Sequence, residues 1–328
     1  MPSTENYSQR LSRLSEAFRQ ADHIIIGAGS GLSTAAGIDY AGADFRREFQ
    51  PWVDRYGFTD LYSSSFYPFE SDEERWAYWA KHIWFSRFRT GATLLYCDLL
   101  RLVAGKSHFV ITTNVDGQFE LAGFDPARLF ATQGDYRFFQ PLSGSPQTLL
   151  DNHDWVMRVL PQIRNCRIPA DLIPHMPDGQ PVAMNLRVDD TFVEDDHWHR
   201  QSQRYADFVR HAAQSRLLLL EFGIGYNTPS IIRFPFERMA STFPSATLVR
   251  FNSHDPAPDI PRLPRFIPFT EEIASVVADL LSAPATSEPP CFFPLALRIV
   301  AARRFPAALR PGSQSSEGSP SPFGAPRL

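Results

Sequence analysis

The chain has 328 residues, 43% of them hydrophobic, and a formal net charge of -4. That composition supports a buried core and argues against nucleic-acid binding by bulk electrostatics. Cys97, Cys166 and Cys291 are odd in number and far apart, which excludes a disulfide framework and suits a reducing compartment.

Leu11, Leu14 and Phe18 recur at helical spacing, so 6–20 is expected to form an amphipathic helix. No apolar signal core precedes it, and Glu5, Glu16 and Asp22 run against a transit peptide. No apolar run approaches the ~20 residues that span a bilayer. The expectation is a soluble, cytoplasmic protein, with a mitochondrial address left open. His23-Ile24-Ile25-Ile26 reads as a short buried strand running into a glycine cluster. Helices are expected over 70–85 and over 92–103, the second closed by Gly105. Further strands are expected at 108–112, 128–130, 217–220 and 247–251. Strands alternating with helices predict an α/β parallel sheet, whose ligand crevice lies in the loops after the strands. The glycine cluster, Asn114, Gln133, Gly223 and Asn252 all follow predicted strands.

Tyr40, Phe45 and the aromatics between Phe49 and Phe69 are lid candidates, against the commoner reading as core. Between about 141 and 200 prolines are frequent and periodicity weakens, which predicts a small inserted module. Thr270 is a candidate N-cap for a last helix over 271–281. Beyond it Pro, Ser, Gly and Ala dominate, as in a disordered tail. The expected division is a domain over 1–283 and a tail over 284–328, in which the apolar, basic run 292–304 reads as an unstructured segment.

Gly27-Ala28-Gly29-Ser30-Gly31, between a strand and a helix, is the kind of turn that brings backbone N–H groups to a pyrophosphate. Ser33 and Thr34 would cap the helix or donate to phosphate. The spacing is not that of the ordinary dinucleotide fingerprint, and no Gly-Lys-Ser/Thr follows as in a phosphate-binding loop of the Walker type. Such a turn can also be purely structural.

Gly29-Ser30-Gly31-Leu32-Ser33-Thr34-Ala35-Ala36-Gly37-Ile38 resembles the sirtuin Gly-Ala-Gly-Ile-Ser-x-x-x-Gly-Ile motif. Thr113-Asn114-Val115-Asp116 resembles the family's Gln-Asn-Ile-Asp. Gly223-Ile224-Gly225 with Pro229 resembles its Gly-Thr-Ser element, and Phe251-Asn252 its Ile-Asn. Within the family the chain is most similar to the class M, macrodomain-associated sirtuins, which share Thr-Thr-Asn-x-Asp and Gln-Gly-Asp/Glu-Tyr, here Gln133-Gly134-Asp135-Tyr136.

The resemblance implies a Rossmann-like sheet and NAD as substrate. It also implies transfer of ADP-ribose to an acceptor protein, with a lipoylated carrier of the glycine-cleavage type as candidate acceptor and a macrodomain hydrolase as candidate partner. It assigns Asn114, Asp116 and Gln133 to catalysis. The cofactor would meet Gly27, Ala28, Gly29, Ser30, Gly31, Ser33, Gly37, Tyr40, Thr113, Gly223, Ile224, Gly225 and Asn252. Gln133 stands where deacylating sirtuins carry histidine, and a carboxamide cannot take up a proton near neutral pH. That favours transfer over deacylation; weak deacylation, NAD hydrolysis or a non-catalytic sensor stay open. Two departures stand out. Asp39-Tyr40-Ala41-Gly42 replaces the family's Pro-Asp-Phe-Arg, so its arginine has no counterpart in register. Cys166 is alone between 141 and 200, so a four-cysteine zinc site cannot form. His153, His175, His197 and His199 read as solvated or capping side chains, and no metal is expected.

Overall fold

In the computed structural model, which describes residues 5–38 and 40–282, the short apolar runs become the middle of a six-stranded sheet. The segment 284–328, with Cys291 and the run 292–304, lies outside the described residues, as does Asp39. The strands in chain order are β1 (His23–Ala28), β2 (Ser107–Thr112), β3 (Leu129–Ala131), β4 (Gly134–Pro141), β5 (Leu150–Asp151), β6 (Val182–Leu186), β7 (Leu217–Phe222), β8 (Thr247–Phe251) and β9 (Phe266–Phe269). The large sheet has the order β3-β2-β1-β7-β8-β9, with every neighbour parallel. The order reverses between β1 and β7, the switch point at which doubly wound sheets bind ligands.

Both faces of this sheet are covered, which is why its strands read as unbroken apolar runs. On one face the helices Tyr7–Gln20, Leu94–Val103 and Ile273–Ser282 pack on Ile24, Ile26, Val110 and Leu220. On the other, Asp196–Ala212 and Arg233–Thr242 cover Ile25, Phe109, Leu219 and Leu248. Asn6 caps the first helix through a capping box with Gln9.

Some expectations shift. The last helix starts at Ile273 rather than at 271, its first turn closing from the Val276 N–H onto Glu272 O (3.1 Å). The helix Asp72–Ile83 continues into a π-helical turn, Trp84–Phe88. β9 escaped the sequence reading because it contains Pro268, which an edge strand tolerates.

A second sheet, order β5-β4-β6, is antiparallel. Its core combines residues from 139–184 with residues from 45–85. Phe45, Phe49, Trp52, Trp76, Tyr78, Phe139 and Trp155 are all buried in one cluster with Cys166, Met176 and Met184. Phe139 lies 5.3 Å from Trp76 and 5.1 Å from Trp155, ring centre to ring centre, both nearly edge-on. Such pairs contribute about 0.5–1.5 kcal/mol each beyond burial. The aromatics of 49–69 are thus mainly core: Phe49, Trp52 and Phe58 are buried, while Tyr62 and Phe66 are exposed. In the turn 174–179, a bond from the Met176 N–H to Gln180 O (2.8 Å) closes the loop, and the Met176 side chain is buried in the aromatic cluster. Among the described residues no helix is long and apolar enough to cross a membrane.

Candidate active site

At the carboxyl edge of the large sheet, each chain exit bonds to its neighbour. Thr132 N–H reaches Thr112 O, Thr113 N–H reaches Ala28 O, and Gly29 N–H reaches Phe222 O. Gly223 N–H then reaches Phe251 O and Asn252 N–H reaches Phe269 O, all at 2.9–3.0 Å. The ladder therefore continues one residue past the strands and sets Gln133, Asn114, the glycine cluster, Gly223 and Asn252 along one rim.

At the centre of that rim is a buried polar relay. Asn114 Nδ2 donates to Gly29 O (2.9 Å), Ser33 Oγ (3.1 Å) and Tyr96 OH (3.2 Å). The Ser33 hydroxyl donates to Asp116 Oδ2 at 2.5 Å, and the Gln118 N–H donates to Oδ1 at 3.0 Å. With its one proton committed to Asp116, Ser33 must accept from Tyr96 OH, 3.0 Å away. Tyr40, partly exposed, adjoins Ser33 and Asp116; burial and then the Asp116 charge hold its phenol well above its usual range. Asp116 is 1% exposed, and burial raises its pKa against the Ser33 and Gln118 hydrogen bonds.

A carboxyl raised in the folded state adds stability below its unfolded pKa and loses it as pH rises through the folded value. Ionisation of Asp116 within the fold therefore carries a stability cost. Asp116→Asn, which cannot ionise, is expected to remove that loss, so its thermal midpoint should fall less than that of wild type as pH rises, while activity drops. A melting series from pH 4 to 8 checks this, and parallel curves for the two proteins would count against it.

Gln133 follows β3, with its backbone O accepting from Arg187 N–H (3.0 Å). Its side-chain Oε1 is buried without a hydrogen-bond partner. Tyr136 N–H returns to Val115 O (3.0 Å), joining this segment to the Asn114 turn. The histidine packed against Tyr136, at 4.8 Å between ring centres, is His82. It is fully buried, its Nδ1 lies 3.0 Å from Tyr78 OH, and burial drives its pKa down to about 3. It stays neutral and enclosed, so it does not stand in for the histidine replaced at 133. Between Asp116 and Asp135 lies Arg87, which sequence reasoning missed along with Tyr96. Tyr96 sits in an apolar helix and reads as core. Arg87 has nothing local to mark it apart from Arg89.

The glycines carry a different load from the one expected. A β-carbon on Gly27 would lie 2.6 Å from the Ile232 and Phe236 side chains, so this residue serves strand-to-helix packing. A β-carbon on Gly31 would lie 2.7 Å from Gly223 Cα, and Gly31 N–H is bonded to Gly223 O (3.1 Å). Because β1 and β7 are neighbours, their exit turns interlock, and the N–H groups of Gly29 and Gly31 are spent on that contact. Gly223, at φ +60°, needs the left-handed region for the same fit. Ala28 and Thr113 are likewise held in the ladder; Ser30 is exposed at the rim. Gly37 (φ +84°) ends the helix Ser30–Ala35, with open space around its Cα.

Further along the rim, Asn252 Nδ2 donates to Ile224 O (2.9 Å), and its Oδ1 accepts from His254 and Asp255 N–H (2.9 Å each). Ile224 is buried and Gly225 is exposed. Among the described residues no group of three or more His, Cys, Asp or Glu side chains could hold a metal ion.

No protein-family model matches the sequence. The protein ADP-ribosyltransferase of Staphylococcus aureus (strain Mu50 / ATCC 700699) is 32% identical over 279 residues, covering 84% of this chain and 88% of that protein. The chain belongs to the sirtuin-like protein ADP-ribosyltransferases. A second relative, a probable bifunctional ADP-ribose hydrolase/ADP-ribosyltransferase of Fusarium oxysporum f. sp. cubense, is 29% identical over 252 residues. That match covers 69% of this chain and 39% of the relative. Among solved structures, a Sir2 complex with a p53 peptide and NAD+ shares the fold at 12% identity and a TM-score of 0.51, covering 83% of this chain and 97% of the other. A mutant Sir2 homologue with ADP-ribose also scores 0.51 at 12% identity, covering 84% and 99%. This member of the sirtuin-like transferases thus keeps the sirtuin sheet while its small module is built on aromatic packing.

Proposed function

We propose that the rim is an NAD site from which ADP-ribose passes to an acceptor protein, with release of nicotinamide. The observation that carries this reading is the Gln133 carboxamide oxygen: buried, unpartnered and on the segment that backbone bonds join to the Asn114 turn. An orphaned buried acceptor is costly, and a ribose hydroxyl is the donor it fits. Breaking the nicotinamide–ribose bond builds positive charge on the sugar. Asp116, held by Ser33 and Gln118, favours that charge in its ionised form and has the hydrogen-bonding character to meet the carboxamide. Asn114 orients the relay and faces the ribose. Gly29, Ser30, Gly31, Gly223, Ile224, Gly225 and Asn252 line the path of the remaining cofactor.

Gln133 can hold the hydroxyl but cannot remove its proton. Loss of a general base typically costs ~10² to 10⁴ in rate, which penalises the deacylation route. Transfer to a nucleophile that arrives ionised needs no such step. A lipoylated carrier of the glycine-cleavage type is the acceptor we put forward, with a macrodomain hydrolase as the partner that removes the modification. The activities named for the two relatives support transfer; the acceptor rests on the class M resemblance.

The test is incubation with NAD and the lipoylated carrier, read by intact mass. An added ADP-ribose that disappears in Gln133→Ala supports the reading. Nicotinamide and free ADP-ribose without any protein adduct would instead show a hydrolase. Ligand-induced stabilisation without nicotinamide would show a sensor.

A further inference from the structure

Two segments carry the proposed chemistry, the turn Asn114–Gly117 after β2 and the stretch Gln133–Tyr136 between β3 and β4. Backbone bonds join them at either end, Thr132 N–H to Thr112 O and Tyr136 N–H to Val115 O, each 3.0 Å. Between those bonds a guanidinium enters from a third element. Arg87 lies in the π-helical turn Trp84–Phe88, and its side chain is 4% exposed. Its Nε donates to Asp135 Oδ1 (2.8 Å), and its Nη2 donates to Asp135 Oδ2 (3.2 Å) and Glu120 Oε2 (3.0 Å). On its other side the guanidinium is pressed against Gly117: a β-carbon there would lie 2.1 Å from Arg87 Cζ. Arg89, two residues on, turns away to Asp44 and Glu48. The irregular turn therefore aims one arginine inward and the next outward, as extra residues inserted in helices often do at functional sites.

We propose that Arg87 is the positioning residue of this site, a buried clamp that fixes the Asp116 turn against the Gln133 segment and supplies positive charge to the surroundings of Asp116. A planar fork suits this role, since it holds Asp135 at two points while lying flat on a glycine.

The groups facing Asp116 make the idea testable. The Ser33 hydroxyl and the Gln118 N–H donate to it. The phenols of Tyr40, Tyr96 and Tyr136 sit around it, each held neutral by burial and then by the Asp116 charge. The charged groups acting on it are Asp135, which opposes its ionisation, and Arg87, which favours it. Glu120 pairs with Arg87 from the outer side and is itself raised by burial and then by Asp135.

The proposal rests on reading Asp116 and Gln133 as cofactor-facing groups, so one arm of the test needs no turnover. In the ligand-free full chain the Asp116 carboxyl carbon is titrated by NMR, assigned by its loss in Asp116→Asn. Arg87→Met should move the midpoint up, Asp135→Asn should move it down, and Arg87→Lys should leave it near wild type. The second arm is NAD turnover followed by nicotinamide release. Arg87→Lys keeps the charge and loses the fork, so kcat should fall by about tenfold or more, with KM for NAD within about twofold and the acid limb of the pH profile in place. Arg87→Met should carry its acid limb upward with the carboxyl titration. A wild-type kcat in Arg87→Lys, or an Asp116 midpoint unmoved in Arg87→Met, overturns the clamp. A wild-type chain that releases no nicotinamide, while the two shifts and the unshifted Arg87→Lys titration come out as stated, defeats the functional reading and leaves the clamp supported.

Discussion

Arg250→Met is expected to destabilise the protein by about 3–5 kcal/mol, the cost of stripping one partner from a buried ion cluster. Arg250 on β8 stands directly across from Glu221 on β7, and both side chains are 0% exposed. The guanidinium forks onto Glu221 (2.7 and 3.0 Å), reaches Glu237 at 2.7 Å and donates to Ala257 O at 2.6 Å. Without it two carboxylates remain in the interior. Burial already raises the Glu221 pKa even with Arg250 beside it. The variant should therefore recover part of its loss at low pH, as protonation of Glu221 relieves its stranded charge. Urea unfolding at pH 7 and pH 5 reads both effects. Replacing both partners, Arg250→Met with Glu221→Leu, should be milder than the single change. A single-variant loss under about 1 kcal/mol would contradict this account. The Asp259 and Ile260 N–H groups bond Glu237, so the loop carrying Asn252 rests on the same cluster.

Asn114→Ala should lower ADP-ribose transfer by about 10²-fold or more, because misplacement of the reacting groups costs that much without any change in chemistry. The same change removes the donor to Gly29 O, Ser33 Oγ and Tyr96 OH, leaving buried groups unpaired at a cost of about 1–3 kcal/mol. The two effects separate if nicotinamide release is measured well below the variant's melting point. Retention of more than about a tenth of wild-type turnover there would remove Asn114 from the proposed machinery.

The sequence reading reached the rim because its residues follow short apolar strands, and such strands are legible from local composition alone. Thr247–Phe251 came out with its observed ends. What escaped was set by contacts between distant segments. The space Gly27 leaves is filled by Phe236, and nothing near Gly27 announces that. Arg87 and Arg89 look alike in sequence and part company only because the helix takes a π turn between 84 and 88. β4 alternates poorly, and its pairing with β6 shifts register between Gly134 and Phe139, so no period marked it as a strand. The helix Asp196–Ala212 carries Trp198, Tyr205 and Phe208 at helical spacing against Phe109 and Phe130, a signal that was present and went unread.

The interleaved rings of Trp76, Phe139 and Trp155 have a consequence for upkeep. Thiolate clusters tie a module to metal supply and expose it to oxidants and chelators. Among the described residues this module contains a single buried sulfhydryl, Cys166, whose ionisation burial disfavours. A lobe held shut by side-chain packing rather than by coordination bonds should ride out EDTA without coming apart. That would let the protein keep its shape under conditions that dismantle a thiolate-stapled lobe.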